Sequence, residues 1–323
     1  MPKKVSLVVL APPAARYLAV LDDLPEGAHI AAGDRPEAFA STLGEAEVIL
    51  CGLNGGGLLR EVWPGAKNVR WVHALSAGVE SVVFPELIES GVVLTNARGV
   101  FRKSLAEFAI AAALFFAKDL RRMVRSQEAF LWDPFDVQEL RGATLGIVGY
   151  GEIGRAAAEL AKAFGMRVAA LRRRPELCAN DAAVDLVFPP AGIREMLAAS
   201  DYVLAAAPLT AGTRGLIGRA ELGAMKPHAV LINVGRGPVV DEAALVEALR
   251  ERRIRGAALD VFDEEPLPAG HPFFSLDNVL LSPHCADHTP GWQEAAVRFF
   301  VENFHRYVNG EPLRNVVDKR QGY

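Results

Sequence analysis

The chain has 323 residues, too many for one ordinary hydrophobic core, so two domains are expected, and 51% of the residues are apolar, enough to fill both. A formal net charge of -4 offers no basic field to nucleic acid or an anionic membrane, which leaves a small molecule as the expected partner. The three cysteines, Cys51, Cys178 and Cys285, lack C-x-x-C or metal-ligand spacing, which fits reduced thiols in a cytoplasmic compartment and argues against a disulfide or a zinc site.

Lys3-Lys4 ahead of Val5–Leu10 has the outline of a small signal peptide, but the apolar run is short and Pro12-Pro13 stops it, so a first β-strand is expected. Further strands are expected at Val48–Leu50, Val69–Val72 and Val92–Leu94, alternating with helical stretches, which predicts a parallel sheet with helices on both faces. The glycine-bearing loops Cys51–Gly57 and Ser76–Val79 follow strand ends, where open α/β sheets bind ligands, although turn chemistry alone would also explain them. Phe101–Leu120 reads as one long helix, apolar around most of its surface, suited to a bridge between domains or a subunit interface. Its most apolar part, Leu105–Ala117, holds Glu107 and is far below the ~20 residues of a membrane span. Trp132-Asp133-Pro134-Phe135 reads as a surface excursion.

Next comes T-L-G-I-V-G-Y-G-E-I-G at Thr144–Gly154: a strand, Leu145–Val148, then a glycine turn, then an alanine-rich helix, Arg155–Phe164. In a dinucleotide-binding turn the first glycine allows the bend, the second lets backbone approach a pyrophosphate, and the third lets helix pack on strand. Gly149, Tyr150, Gly151, Glu152, Ile153 and Gly154 are therefore candidate cofactor residues, with phosphates at the positive end of the helix. An NAD-binding turn usually carries Asp or Glu about 20 residues on, to accept the ribose hydroxyl hydrogens. Here the next strand ends in Arg172-Arg173-Arg174, and guanidinium groups can bind a 2'-phosphate through paired, charge-assisted hydrogen bonds. NADP(H) is the preferred cofactor on this reading and NAD(H) a possible one; a solvated basic patch is the competing explanation.

The βα rhythm resumes with strands at Arg167–Leu171, Asp201–Ala206, Ala229–Asn233, Gly256–Leu259 and Val279–Leu281. Pro290–Val308 is an amphipathic helix whose Val297, Phe300, Phe304 and Val308 recur at helical spacing. It is expected to return to the first domain. The fold expected is α/β, two doubly wound, Rossmann-like parallel-sheet domains: a discontinuous, flavodoxin-like substrate domain of residues 1–100 and 288–323, and a dinucleotide-binding domain of residues 101–287.

Polar residues then cluster at predicted sheet ends: N-V-G-R-G at Asn233–Gly237, D-V-F-D-E-E-P at Asp260–Pro266, and S-P-H at Ser282–His284. Following G-x-G-x-x-G in this order, they resemble the D-isomer-specific 2-hydroxyacid dehydrogenases. The resemblance extends through S-x-G-V at Ser76–Val79, T-N-A-R-G-V at Thr95–Val100 and P-L-T at Pro208–Thr210, nearly the whole chain. Reducing a 2-keto acid needs a group for the carboxylate, a hydride for the carbonyl carbon, and a proton for the oxygen. Arg236 suits the first because its fork bridges adjacent oxygens, His284 suits the proton, and Glu265 would hold the ring and favour its charged form. Singly, each has an ordinary explanation: a surface arginine, a solvated glutamate, a histidine capping backbone. The resemblance implies the same three roles together.

It implies further that the amides of Ala77 and Gly78 bind the substrate carboxylate, that Leu53 and Asn54 line the pocket, and that Ala207, Pro208, Thr213 and Val234 contact cofactor. Asp260 faces the nicotinamide carboxamide or caps a turn. The branch expected is glyoxylate/hydroxypyruvate reductase-like, with the active site in the cleft between domains and a homodimer joined through Phe101–Leu120. Rival readings are a formate-type dehydrogenase, which pairs its histidine with glutamine where this chain has Glu265, and a dinucleotide-sensing corepressor, which keeps the triad. After S-P-H, Asp287, His288 and Trp292 stand where many relatives are small or apolar, which brings a second histidine to the cleft or merely starts a surface helix.

Overall fold

The run Val5–Leu10 forms strand β1, almost wholly buried because a parallel sheet is covered by other elements on both faces. The computed structural model describes residues 4–178 and 180–323, and β1 belongs to a unit made of residues up to Phe101 together with Thr289–Tyr323. Around it lie β2 (Ala28–Gly33), β3 (Val48–Cys51), β4 (Trp71–Ala74) and β5 (Val93–Asn96), all parallel, in the flavodoxin-like order β2-β1-β3-β4-β5. β2 has no counterpart among the expected strands: it is an edge strand with three alanines, half exposed. β4 starts at Trp71, not Val69.

The C-terminal helix starts at Trp292, not Pro290, because Gly291 takes φ 77 as its N-cap. It returns to this unit and stacks Phe300 on Trp71 with ring centroids 5.2 Å apart, while Phe304 tilts against the same indole at 6.3 Å. Thr95 Oγ1 accepts from Trp71 Nε1 at 2.7 Å and bonds His73 Nδ1 at 2.7 Å. His73 is fully buried, which drives its pKa down to about 3 and keeps it neutral. The final segment is tied down by Val317 N–H to Leu94 O at 2.8 Å, and by Lys319 Nζ, which caps the carbonyls of Leu87, Ser90 and Val92 at 2.8, 2.7 and 2.8 Å.

The second unit spans Arg102–His288. Its strands are β6 (Thr144–Val148), β7 (Arg167–Leu171), β8 (Leu186–Phe188), β9 (Tyr202–Ala205), β10 (Val230–Asn233), β11 (Gly256–Leu259) and β12 (Val279–Leu281). The parallel order β8-β7-β6-β9-β10-β11-β12 is the dinucleotide-binding order with one strand added, and it reverses between β6 and β9. The single helix expected over Phe101–Leu120 is instead two. The first, Arg102–Ala117, ends before Asp119, whose φ of 49 breaks the spiral and whose carboxylate caps a second helix, Leu120–Glu128, by accepting from Arg122 N–H at 3.4 Å. Among the described residues no helix is long and apolar enough to cross a membrane.

Candidate active site

The glycine turn follows β6 at the point where the strand order reverses. Gly149 has φ +96, and a Cβ there would lie 2.6 Å from Ala207 Cα. A Cβ on Gly154 would meet Gly149 O at 2.8 Å and Ile147 Cγ2 at 2.9 Å, so this glycine sets how closely helix meets strand. Gly151, by contrast, faces open space. The helix begins at Glu152, three residues before the expected Arg155, and the amides of Glu152, Ile153 and Gly154 donate no hydrogen bond among the described residues. Unused amides at the positive end of a helix, beside a glycine with room above it, fit a pyrophosphate. Tyr150 is buried beneath the turn and donates to Asp181 at 3.0 Å; burial first, and then this carboxylate, push its phenol pKa up. Glu152 is exposed and pairs with Arg102 at 3.7 Å.

Of the arginines after β7, Arg172 is half-buried with Nη1 3.9 Å from Cys178 Sγ, and Arg173 and Arg174 are exposed. Ala207 and Val234 are buried at the ends of β9 and β10, and Pro208 is exposed. Thr213 Oγ1 donates to Pro208 O at 2.6 Å and accepts from Thr210 N–H at 2.8 Å, so its hydroxyl closes the 208–213 turn.

Arg236, Asp260 and His284 follow β10, β11 and β12, three neighbouring strands, at the sheet edge where such folds bind ligands. The glycines around Arg236 are forced by packing. A Cβ on Gly237 would lie 2.0 Å from the Phe262 carbonyl carbon, and one on Gly235 would lie 2.9 Å from Ala207 O. Asn233 shapes the same turn, its Oδ1 accepting from Gly235 N–H at 3.1 Å and its Nδ2 donating to Arg236 O at 3.2 Å. The half-buried Arg236 guanidinium donates from Nη1 to Gly235 O at 2.7 Å.

His284 adopts φ 51, a left-handed conformation that few non-glycine residues take. Asp260 clamps the turn that imposes it: Oδ1 accepts from Ser282 Oγ at 2.5 Å and from the amides of Cys285 and Ala286 at 3.0 Å each. Of the two readings of Asp260, the turn cap is thus realised by one carboxylate oxygen. Burial outweighs those donors and raises its pKa. Glu265 Oε2 lies 2.6 Å from His284 Nδ1, and Oε1 accepts from Phe262 N–H at 2.9 Å. Nδ1 is thus the ring nitrogen engaged by the carboxylate, and Nε2 is the ring atom left for exchange.

Leu53 and Asn54 follow β3, half-buried and exposed, and Ala77 and Gly78 follow β4, both half-buried. These four stand in the first unit, and Arg236, Glu265 and His284 in the second. His288 is exposed, with Nε2 3.8 Å from Asp287. All three cysteines are free, and Cys285 Sγ lies 3.5 Å from Ser282 Oγ. Among the described residues no group of three or more His, Cys, Asp or Glu side chains could hold a metal ion. Sequence reading assigned no role to Asn233 or Ser282; a polar residue just inside each motif was the only signal.

Residues 110–286 match the sequence model of the D-isomer specific 2-hydroxyacid dehydrogenase NAD binding domain. A glyoxylate reductase of Thermococcus gammatolerans is 38% identical over 270 residues, covering 80% of this chain and 79% of its own length. A D-3-phosphoglycerate dehydrogenase of Methanocaldococcus jannaschii is 33% identical over 317 residues, 97% of this chain, although the chain spans only 59% of that protein. The solved structure of a D-isomer specific 2-hydroxyacid dehydrogenase from Xanthobacter autotrophicus, in complex with NADPH and MES, matches with a TM-score of 0.86 at 30% identity, covering 99% of this chain and 100% of that one. With the glycine turn, the sheet order and the His284–Glu265 pair, these likenesses make the chain an oxidoreductase with a nicotinamide-dinucleotide-binding unit, and it belongs to the D-isomer specific 2-hydroxyacid dehydrogenase family.

Proposed function

We propose that the protein reduces a small 2-keto acid to the D-2-hydroxy acid with NADPH, and that glyoxylate and hydroxypyruvate are the first substrates to test. The observation that carries this is the 2.6 Å bond between His284 Nδ1 and Glu265, which leaves Nε2 to give a proton. When bound, the nicotinamide supplies the hydride to the carbonyl carbon. The Arg236 fork holds the carboxylate and the carbonyl oxygen, and stabilises the negative charge that grows there. His284 Nε2 protonates that oxygen, while Glu265, itself fixed by Phe262 N–H, keeps the ring in place. Ala77 and Gly78 amides receive the carboxylate, with Leu53 and Asn54 beside it. Asp260, through its second oxygen, faces the nicotinamide with Ala207, Pro208, Thr213 and Val234. The glyoxylate reductase relative supports the substrate class, and Glu265 in place of glutamine speaks against formate oxidation. A panel of 2-keto acids assayed with NADPH and NADH tests the proposal; tight dinucleotide binding with no turnover on any of them would favour a sensor instead.

NADPH is the proposed cofactor because Arg172, Arg173 and Arg174 occupy the place of the usual acidic residue, and the Xanthobacter relative was solved with NADPH. Reversing two of these charges, Arg173→Glu with Arg174→Glu, is expected to raise the dissociation constant of NADPH about 10- to 150-fold, the worth of one charged hydrogen bond of ~1.5–3 kcal/mol. That of NADH should be little changed. Equal losses for both cofactors, or clearly tighter NADH binding by the unaltered protein, would contradict the assignment.

The proposed assembly is a homodimer through the nucleotide-binding unit, and the surface proposed for it lies beyond the helix Arg102–Ala117. Leu105, Ala109, Ile110, Ala113 and Phe116 of that helix are buried. The exposed apolar surface lies just beyond it: Phe130 and Trp132 are each 97% exposed and Leu131 63%. Solvated aromatic rings in a row mark an association surface, and a second copy presents the same rings to them. In sedimentation the protein should run as a dimer and the Phe130→Ser, Trp132→Asp double variant as a monomer; a monomeric parent chain would refute the assembly.

A further inference from the structure

The turn after β4 has three consecutive carbonyls held by hydrogen bonds. Ser76 O accepts from Ala97 N–H at 3.1 Å, Ala77 O from Asn96 Nδ2 at 2.6 Å, and Gly78 O from Ser76 Oγ at 2.5 Å. In a trans peptide the N–H points opposite to the C=O, so fixing these carbonyls fixes the directions of the Ala77, Gly78 and Val79 amides. None of the three amides donates a hydrogen bond among the described residues. Successive amides left to donate make an anion receptor without adding a titratable group.

Asn96 is built to hold this arrangement. The residue is buried at 4% exposure, and its Oδ1 accepts from Arg98 N–H at 3.3 Å, which leaves Nδ2 as the atom facing Ala77. Its main chain is tied to the C-terminal segment: Asn96 N–H reaches Asn315 O at 3.4 Å, and Asn315 Nδ2 donates to Asn96 O at 3.2 Å and to Arg98 O at 2.7 Å.

We infer that Asn96 and Ser76 are positioning residues for the substrate carboxylate, holding the 77–78 and 78–79 peptides so that the Gly78 and Val79 amides face the anion. This rests on the proposed reduction of 2-keto acids and adds Val79 to the receptor. Asn96→Asp keeps the volume and the acceptor for Arg98 but sets an oxygen against the Ala77 carbonyl. Ser76→Ala, a milder change, releases the next peptide alone.

Each variant should raise the KM for the keto acid about tenfold or more, about 1.4 kcal/mol, with kcat and the KM for NADPH unchanged. The calorimetric dissociation constant of oxalate, a non-reacting dicarboxylate, should rise by the same factor with NADP+ bound, and Ser76→Thr should restore both. Folded variants with unaltered KM and oxalate affinity, or a lower kcat at constant KM, overturn the inference. If the parent enzyme reduces no keto acid, the functional proposal falls separately. Oxalate then still decides: weaker binding by both variants supports the receptor, and equal or absent binding removes it.

Discussion

Replacing His284 with Asn is expected to lower kcat for the keto acid about 10²–10⁴-fold, the range for loss of a positioned proton donor, and to leave both Michaelis constants nearly unchanged. Asn is the informative choice because it tolerates the φ of 51 at this position, so the turn clamped by Asp260 survives. Its amide can hydrogen-bond a carbonyl oxygen but gives up no proton at neutral pH. Glu265 would still be held by Phe262 N–H, which keeps the surrounding backbone in place. Initial rates of NADPH oxidation give both constants, and an Asn variant with undiminished kcat removes His284 from the mechanism.

Arg236→Lys should be nearly as damaging, although it keeps the charge. An ammonium is a point donor, whereas on the proposed mechanism the guanidinium fork would meet carboxylate and carbonyl oxygens together. Losing a preorganised donor at the oxygen that becomes negative costs about 10²–10³-fold in kcat. Losing the carboxylate contact, ~1.5–3 kcal/mol, raises the KM about 10- to 150-fold. Unlike the histidine variant, this one moves both constants together. The packing of Gly235 against Ala207 and of Gly237 against Phe262 is untouched by the exchange, so the turn should persist. A lysine variant altered in neither constant would remove Arg236 from the mechanism.

The parts of this fold that were legible in the sequence are those where backbone geometry dictates residue type. Gly149 and Gly154 are required by contacts of the chain with itself, and the apolar runs of β6, β9 and β10 are buried on both faces. Edge strands were not legible. β2 is rich in alanine and β8 has three residues, so neither offers a strong apolar run. The helix break at Asp119 was missed because hydrophobic periodicity does not register one left-handed residue. The same periodicity left Phe101–Leu120 as a bridge between domains or a subunit interface, since an apolar stripe does not say whether its own core or another chain will cover it.

At the site, Arg236, Glu265 and His284 stood out by motif order, but their supports did not. Asp260 reaches Cys285 and Ala286, which lie 25 and 26 residues later, and Asn96 reaches Ala77 across 19 residues. Such bonds exist only once neighbouring parallel strands bring their ends together. The hydroxyl of Thr213, a position matched to cofactor contact in the sequence, also closes a local turn, which the motif did not reveal.

The most direct test follows the hydrogen itself. NADPH carrying deuterium at the nicotinamide C4 position is incubated with the protein and glyoxylate or hydroxypyruvate, and the products are examined by mass spectrometry and chiral chromatography. Label at carbon 2 is expected with either substrate, with hydroxypyruvate giving D-glycerate, and label transfer should be strongly slowed by His284→Asn. Bound NADPH with no labelled hydroxy acid from these or any other small 2-keto acid, or product of the L configuration, would contradict the assignment.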